Sequence, residues 1–298
     1  MTVGVLVNGN ARRHQRRPGL AQRYVSQGAV VVQTHSLEEL PAGIAQLQAA
    51  GVHTVALSGG DGAVHRGLTA LSKAWEGRLP RIALLPAGTM NTVARGLGVR
   101  GSPSAVLARA LNADAAVMDR FPIDAGEGRL GFLVGTGFWA QFLRQYDQRT
   151  GPGPLRAAAV LGRGLASTVI QGRFVRELFE PVRARVSLDR KALDGERFTM
   201  VAAGAVPTVG LGFSPFSTVA EGVAGMHALA FQSRPVGVAV QLPRLFFGGS
   251  PRSPDTGGPV KELAIEAEQP FLWAMDGDVQ APTQRLCLSV GPRLCIVR

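Results

Sequence analysis

The sequence predicts a two-domain protein in which a doubly wound α/β domain is followed by an antiparallel β-sandwich domain. Across residues 1–113, short apolar runs alternate with amphipathic helical segments. Such alternation is typical of a parallel sheet that helices cover on both faces. Across residues 114–290, strand-like runs are separated by Gly, Pro and Asp turns, which indicates antiparallel strands.

The individual elements follow from these patterns. The first domain has four predicted strands, VGVLVN, AVVVQT, TVALSG and RIALLPAG, with helices over 37–50, from Ala63 onward, and after Ser102 as N-cap with Pro103 in the first turn. The second domain contains the strands LGFLVG, ARVSL, RFTMVAAG, MHALAF, LAIEA and RLCLSV. Helices are predicted over 155–170 and 236–247, and 248–259 reads as a flexible loop.

Composition narrows the classes of function. The 298 residues carry 32 Lys+Arg against 21 Asp+Glu, so the formal charge of +11 favours anionic partners. A hydrophobic content of 46% excludes wholesale disorder, and two cysteines exclude a disulfide framework. No apolar stretch reaches the length of a membrane span and no signal peptide is recognisable, so a cytoplasmic protein is expected.

Two glycine-rich turns predict a nucleotide site. LSGGDGA and LPAGTMN each follow an apolar strand, and ligands of parallel sheets bind beyond the carboxyl ends of the strands. Glycines at a strand-to-helix turn let a phosphate approach the free backbone N–H groups. The carboxylate of Asp61 would repel that phosphate unless a metal ion or a transferable proton lay between them.

The order of motifs along the chain resembles a known family. VNGNAR, LSGGDGA, LPAGTMNTVAR, VGTGFWAQF and WAMDGD are similar to the successive motifs of the diacylglycerol kinase catalytic-domain family, which includes sphingosine, ceramide and bacterial YegS-like lipid kinases. The resemblance implies an N-terminal domain of the NAD kinase and phosphofructokinase type, with a C-terminal strand near 291–298 that returns to it. It also implies ATP and Mg²⁺ as cofactors and transfer of the γ-phosphoryl group to a lipid hydroxyl.

Site residues follow from the resemblance position by position. Asp276 stands in the slot of the general base, and Asp61 would organise Mg-ATP or take the acceptor's proton; the sequence leaves these two roles open. Glu221 is a weak candidate metal ligand. The positions that match the nucleotide-contacting motifs are Asn8, Gly59, Gly60, Gly62, Gly88, Thr89 and Asn91.

Three departures from the family pattern keep other functions open. Ala63 and Arg66 replace a threonine and a glutamate after the GGDG turn, and Asp278 replaces a glutamate beside Asp276. The first hypothesis is an ATP-dependent lipid kinase, a phosphotransferase with an alcohol acceptor. The alternatives are a kinase of a soluble hydroxyl compound and a nucleotide-binding regulatory protein that has lost catalysis.

A lipid substrate predicts attachment to an anionic membrane surface and no nucleic-acid partner. Two segments combine apolar residues with arginine: 243–252, with Leu245, Phe246 and Phe247 beside a glycine loop, and 144–176, where arginines flank an apolar helical run. The sequence does not indicate the oligomeric state.

Overall fold

The computed structural model describes residues 2–76, 78–147, 177–209, 213–246 and 248–298, and these residues form two compact units. Unit 1 comprises Met1–Gly131, Glu221–Ala224 and Gly291–Arg298. Unit 2 comprises Phe132–Ala220 and Gly225–Val290. The predicted helix over 155–170 lies outside the described residues.

Unit 1 is built on a six-stranded sheet in the order β2-β1-β3-β4-β18-β5. Strands β1 to β4 are parallel to their neighbours, β18 is parallel to β4, and β5 is antiparallel to β18. The strands of unit 1, in which β6 and β7 form an antiparallel pair outside this six-stranded sheet, are β1 (Val3–Asn8), β2 (Val30–Thr34), β3 (Thr54–Gly59), β4 (Arg81–Pro86), β5 (Val117–Arg120), β6 (Ile123–Asp124), β7 (Leu130–Gly131) and β18 (Leu294–Val297).

Six helices lie in the described residues of unit 1. They are α1 (Arg12–Arg16), α2 (Leu20–Ser26), α3 (Leu40–Ala49), α4 (Asp61–Ala74), α5 (Thr92–Gly96) and α6 (Pro103–Leu111). Helix α6 begins as predicted, because the Ser102 hydroxyl accepts a hydrogen bond from the Ala105 N–H at 3.2 Å and Pro103 occupies the first turn. The short helices α1, α2 and α5 were not predicted, since five to seven residues are too few to show a helical period.

Unit 2 contains an antiparallel sheet in the order β15-β14-β13-β8-β16-β17, with β10 and then β11 added beside β16, and a separate pair β9–β12. Its strands are β8 (Leu133–Gly137), β9 (Val182–Arg183), β10 (Arg185–Leu188), β11 (Lys191–Ala192), β12 (Arg197–Phe198), β13 (Met200–Gly204), β14 (Met226–Phe231), β15 (Thr256–Val260), β16 (Glu262–Met275) and β17 (Asp278–Val290). The helices in the described part of unit 2 are α7 (Phe138–Asp147) and α8 (Pro235–Phe246). The predicted fold class, a parallel α/β region followed by an antiparallel β-rich region, is confirmed.

Two sequence-based expectations for unit 2 are wrong. The predicted loop over 248–259 contains strand β15, which pairs with β14 because the backbone of this Gly-rich segment finds hydrogen-bond partners at a sheet edge. Leu245 was expected on an exposed apolar surface, yet it is 2% exposed because it lies on the inner face of α8.

No helix in the described part of the chain is long and apolar enough to cross a membrane.

A buried polar cluster attaches α1 and α2 to strand β3. The His14 ring lies 2.8 Å (Nε2) from the Ser58 hydroxyl, and the Tyr24 hydroxyl lies 3.2 Å from the same oxygen. All three side chains are buried. Since unpaired polar groups are costly in the interior, these contacts fix α1 and α2 relative to the end of β3.

The His14 cluster predicts a pH dependence of stability. Burial lowers the pKa of the His14 ring, with a further contribution from the positive charge of Arg13. As the pH falls below 6.5, the unfolded chain binds the proton before the folded chain does, so the free energy of unfolding should fall. We expect His14→Gln to reduce this pH slope between about pH 6.5 and 5.5 in urea titrations.

The control is the same substitution at the exposed ring, His53→Gln, which should keep the wild-type slope. NMR titration of the rings provides a direct check. A His14 ring that titrates at or above pH 6.5 in the folded protein would contradict the prediction.

Candidate functional site

The site is built on one edge of the parallel sheet in unit 1. Strands β1, β3 and β4 are neighbours and run in the same direction, so their carboxyl ends meet at this edge. The GGDG turn (residues 59–62) follows β3 and the GTMN turn (residues 88–91) follows β4. Asn8, at the end of β1, accepts a hydrogen bond from the Asn10 N–H at 3.0 Å.

The two turns are in direct backbone contact. The Ala87 and Gly88 N–H groups both donate to the Gly59 carbonyl, at 2.9 and 3.1 Å. A Cβ added at Gly88 would lie 2.4 Å from the Cα of Gly60, and one at Gly60 would lie 3.2 Å from the Cα of Gly88. Glycine is therefore required at residue 88 by close packing. The φ of Gly60 is −96°, so its backbone conformation by itself does not require glycine.

Asn91 shapes the GTMN turn from within. Its φ of 49° is left-handed, a conformation that asparagine tolerates better than most residues. Its Oδ1 accepts the Gly88 N–H at 2.9 Å and its Nδ2 donates to the Gly88 carbonyl at 3.0 Å. The Asn91 side chain thus bridges the two ends of the turn. A side chain that lacks either the acceptor oxygen or the donor N–H would lose one of these bonds and open the turn.

Asp61 connects the two turns. Its carboxylate accepts hydrogen bonds from the Thr92 N–H at 2.9 Å and the Val93 N–H at 2.8 Å, the first residues of α5. Desolvation raises the pKa of this carboxyl, while the Val93 and Thr92 N–H groups act in the opposite direction. In this geometry both carboxylate oxygens hold the start of α5, which is a positioning role.

Four arginines lie beside the GTMN turn. Arg12, Arg13, Arg16 and Arg17 line a cavity of about 310 Å³ together with Gly88 and Thr89. Arg13 fixes the helix to the end of β4, because its backbone N–H donates to the Ala87 carbonyl and its guanidinium to the Pro86 carbonyl, each at 3.0 Å. Among the described residues, no acidic side chain lines this cavity. We call these four side chains the arginine cluster.

Sequence reasoning missed the arginine cluster. The signal was present, since NARRHQRRPG places four arginines within six residues directly after β1. At the level of composition, this run is only part of the excess of Lys+Arg over Asp+Glu. Only the packing of His14 against Ser58 shows that α1 turns these side chains towards the GTMN turn.

Asp276 is found in unit 2, in the turn between β16 and β17. Asp276 and Gly277 have φ values of 46° and 89°, as a tight hairpin turn requires. The buried Asp276 carboxylate accepts the Phe132 N–H through both oxygens, at 3.0 and 2.9 Å, and the Leu133 N–H at 2.8 Å. The carboxylate thereby attaches the hairpin turn to the start of β8.

Glu221 is paired with an arginine. Its two carboxylate oxygens accept hydrogen bonds from the Arg298 guanidinium within unit 1, so a cation already compensates the charge of this carboxylate. Within the described ranges, no three His, Cys, Asp or Glu side chains are grouped so that they could hold a metal ion. Glu221 therefore gains no support as a metal ligand.

The contact between the turns predicts the effect of Gly88→Ala. The new methyl group would collide with the backbone of Gly60, so one turn must move, and we expect a loss of about 1–3 kcal/mol in the free energy of unfolding. The control is Gly19→Ala, where the added Cβ meets no atom within 4 Å and φ is −75°. Equal stability of Gly88→Ala and Gly19→Ala in urea titrations would refute the close contact.

The bridge from Asp61 to α5 predicts a local opening in Asp61→Asn. An amide offers one acceptor oxygen, and its NH₂ group would face an N–H donor, at a cost of about 1–3 kcal/mol. Hydrogen exchange at the Thr92 and Val93 amides should accelerate markedly, whereas Asp114→Asn, at an exposed side chain, should leave it unchanged. Wild-type protection of both amides in Asp61→Asn would show that the carboxylate does not hold α5.

Comparison with known proteins relates the segment that carries this site to a protein family. Residues 2–122 match the family model described as the diacylglycerol kinase catalytic domain. No curated protein matches the chain. Among solved structures, a candidate diacylglycerol kinase from Bacillus anthracis str. Sterne is similar, with a TM-score of 0.73 and 15% identity over 99% of this chain and 96% of that chain.

A second structure from the same organism, described as a diacylglycerol kinase, gives a TM-score of 0.67 with 15% identity over the same shares of the two chains. At this identity the structural likeness establishes the fold alone. The family match is carried by the segment that holds both glycine turns and the arginine cluster. The resemblance inferred from the motifs is confirmed: residues 2–122 match the diacylglycerol kinase catalytic domain family.

Proposed function

We propose that the chain is an ATP-dependent lipid kinase that transfers the γ-phosphoryl group of ATP to a lipid hydroxyl. The observation that carries the proposal is the arginine cluster beside the GTMN turn. A triphosphate carries several negative charges, and guanidinium groups bind phosphate oxygens with paired N–H donors. A cavity of about 310 Å³ is within the range of small-ligand sites.

Each turn has a distinct part in this proposal. In the proposal, Gly59, Gly60 and Gly62 form the phosphate-contacting turn at the start of α4, and Gly88, Thr89 and Asn91 form the nucleotide-contacting turn, with Asn8 at the neighbouring strand end. Asp61 positions α5 through its hydrogen bonds to Thr92 and Val93. We therefore assign Asp61 a positioning role and retain Asp276 as the proposed general base for the acceptor hydroxyl.

Magnesium fits this site only as a companion of the nucleotide. Mg²⁺ is commonly bound through substrate phosphates, water and one or two carboxylates, and it neutralises charge on the transferred phosphoryl group. The described residues offer no cluster of three ligands, and Glu221 is held by Arg298. The arginine cluster would share the phosphate charge with the ion.

The proposed function is tested in two steps, nucleotide binding and transfer. We expect ATP to raise the melting temperature of the wild type, and Arg16→Gln/Arg17→Gln to weaken ATP binding by about tenfold or more, because charged hydrogen bonds are lost. Arg78→Gln, at an exposed arginine outside the cluster, is the control. Transfer is measured with γ-labelled ATP and a total lipid extract, in parallel with a panel of soluble alcohols.

The outcomes separate the three hypotheses. Label in an organic-phase product supports the lipid kinase. Label only in a soluble product indicates a kinase of soluble hydroxyl compounds. ATP binding without transfer to either panel indicates the regulatory protein, and no effect of ATP on melting would remove the nucleotide site altogether.

Asp276→Asn should retain ATP affinity but slow single turnover by about 10²–10⁴-fold, the usual contribution of a positioned general base. The structural role of this carboxylate requires a matched control. Asp189 has a similar left-handed φ of 46° in unit 2, and its Oδ1 accepts the Lys261 and Glu262 N–H groups. Asp189→Asn should therefore affect stability without affecting turnover.

A loss of turnover below tenfold in Asp276→Asn, with ATP and lipid saturating, would dismiss Asp276 as the base. Unfolding free energies measured for both variants show how much of any loss follows from weakened anchoring of the turn to β8.

A further inference from the structure

The solvent-facing side of helix α8 is apolar. Val236 and Val240 are one helical turn apart and are 59% and 74% exposed, and Pro243 continues the same exposed face one turn further on. A surface helix of a globular protein normally directs its polar face outward. We call the exposed side chains of Val236, Val240 and Pro243 the α8 ridge.

The inner side of α8 is fixed to unit 2, so the exposure of the ridge is not a sign of loose packing. Val238 and Leu245 are 8% and 2% exposed. Gln241 donates to the Asp255 carboxylate at 2.6 Å and accepts from the Arg252 N–H at 2.6 Å. The helix is thus held by apolar packing on one side and by hydrogen bonds beside it.

Asp255 also fixes the start of the helix. Its Oδ1 accepts the Gln232 and Ser233 N–H groups at 2.7 and 2.8 Å, immediately before α8 begins. This carboxylate is 5% exposed, so its charge is compensated internally rather than displayed at the surface. The orientation of the ridge is therefore determined by buried contacts.

The charges around the ridge identify the kind of partner. The segment 234–254 carries three arginines, Arg234, Arg244 and Arg252, and no Asp or Glu. All three arginines are exposed. An apolar ridge with a cationic border is the pattern of a helix that lies in the interface of an anionic bilayer.

We propose that α8 is the element through which the protein docks on an anionic lipid bilayer, with the α8 ridge inserted at the level of the acyl chains and the arginines at the lipid headgroups. This inference rests on the proposed function for its purpose, since a lipid acceptor must be reached at a membrane surface. The geometric evidence for the inference comes from α8 alone. Phe246, 43% exposed at the end of the helix, stacks against Phe213 with ring centroids 6.1 Å apart and adds apolar surface.

Vesicle sedimentation without nucleotide tests the docking directly. We expect the wild type to pellet with phosphatidylcholine vesicles that contain about 30% phosphatidylglycerol and to remain in solution with phosphatidylcholine alone. Val236→Ser/Val240→Ser should weaken partition to the vesicles by about tenfold or more, because burial of these two apolar side chains drives insertion and serine cannot supply it. Leu37→Ser/Val223→Ser, at two exposed apolar residues of unit 1, should pellet like the wild type.

A second pair of variants tests whether the arginines beside the α8 ridge bind the lipid headgroups. Arg234→Gln/Arg244→Gln should reduce binding to anionic vesicles by about tenfold or more, and added salt should have a smaller effect on this variant than on the wild type. Arg183→Gln/Arg197→Gln, on paired strands β9 and β12, is the matched control and should bind like the wild type. Circular dichroism verifies that each variant is folded.

Several outcomes would overturn the proposal: equal pelleting on neutral and anionic vesicles, no effect of the serine pair in a folded variant, or association of the ridge with a second copy of the chain, detected as a dimer that the serine pair dissolves. Kinase assays on detergent-solubilised lipid distinguish this failure from failure of the proposed function. Transfer in detergent without vesicle binding rejects the docking helix alone, and vesicle binding without any transfer rejects the lipid kinase alone.

Discussion

The hydrogen bonds from the Thr92 and Val93 N–H groups to the Asp61 carboxylate are the constraint on which the two glycine turns of unit 1, the proposed nucleotide site, depend. They join the start of α4 to the start of α5, and so bring together two turns that are separate in sequence. Gly60 and Gly88 allow the approach, because side chains there would meet backbone atoms. The Asp61 carboxylate thus preorganises the two turns. Because it accepts hydrogen bonds from two backbone N–H groups, its charge is compensated there instead of facing a bound phosphate.

A second set of contacts positions the positively charged side chains beside these turns. The His14 ring and the Tyr24 hydroxyl meet the Ser58 hydroxyl at the end of β3, and Arg13 is bound to carbonyls at the end of β4. These contacts direct α1 so that its arginines line the cavity beside Gly88. Four of the chain's basic residues are thereby gathered beside the GTMN turn, because the five-residue helix α1 is attached to both β3 and β4.

Aspartates in unit 2 act in the same manner as Asp61. Asp255 accepts two backbone N–H groups before α8, and Asp276 accepts two at the start of β8. A buried carboxylate is tolerated when backbone donors compensate its charge, and in return it fixes the position of a turn or a helix start. The orientation of the α8 ridge and the geometry of the turn around Asp276 both follow from this arrangement.

The sequence by itself determined the fold class, the two glycine turns and the start of α6, because strand and helix periods, glycine runs and capping residues are local signals. It also determined the family resemblance of the N-terminal segment. Only the tertiary structure decided that Asp61 holds α5, that Glu221 is paired with Arg298, that Leu245 is buried while Val236 and Val240 are exposed, and that the arginines of α1 face the GTMN turn. These features arise from contacts between residues far apart in the chain, so neither period nor composition encodes them.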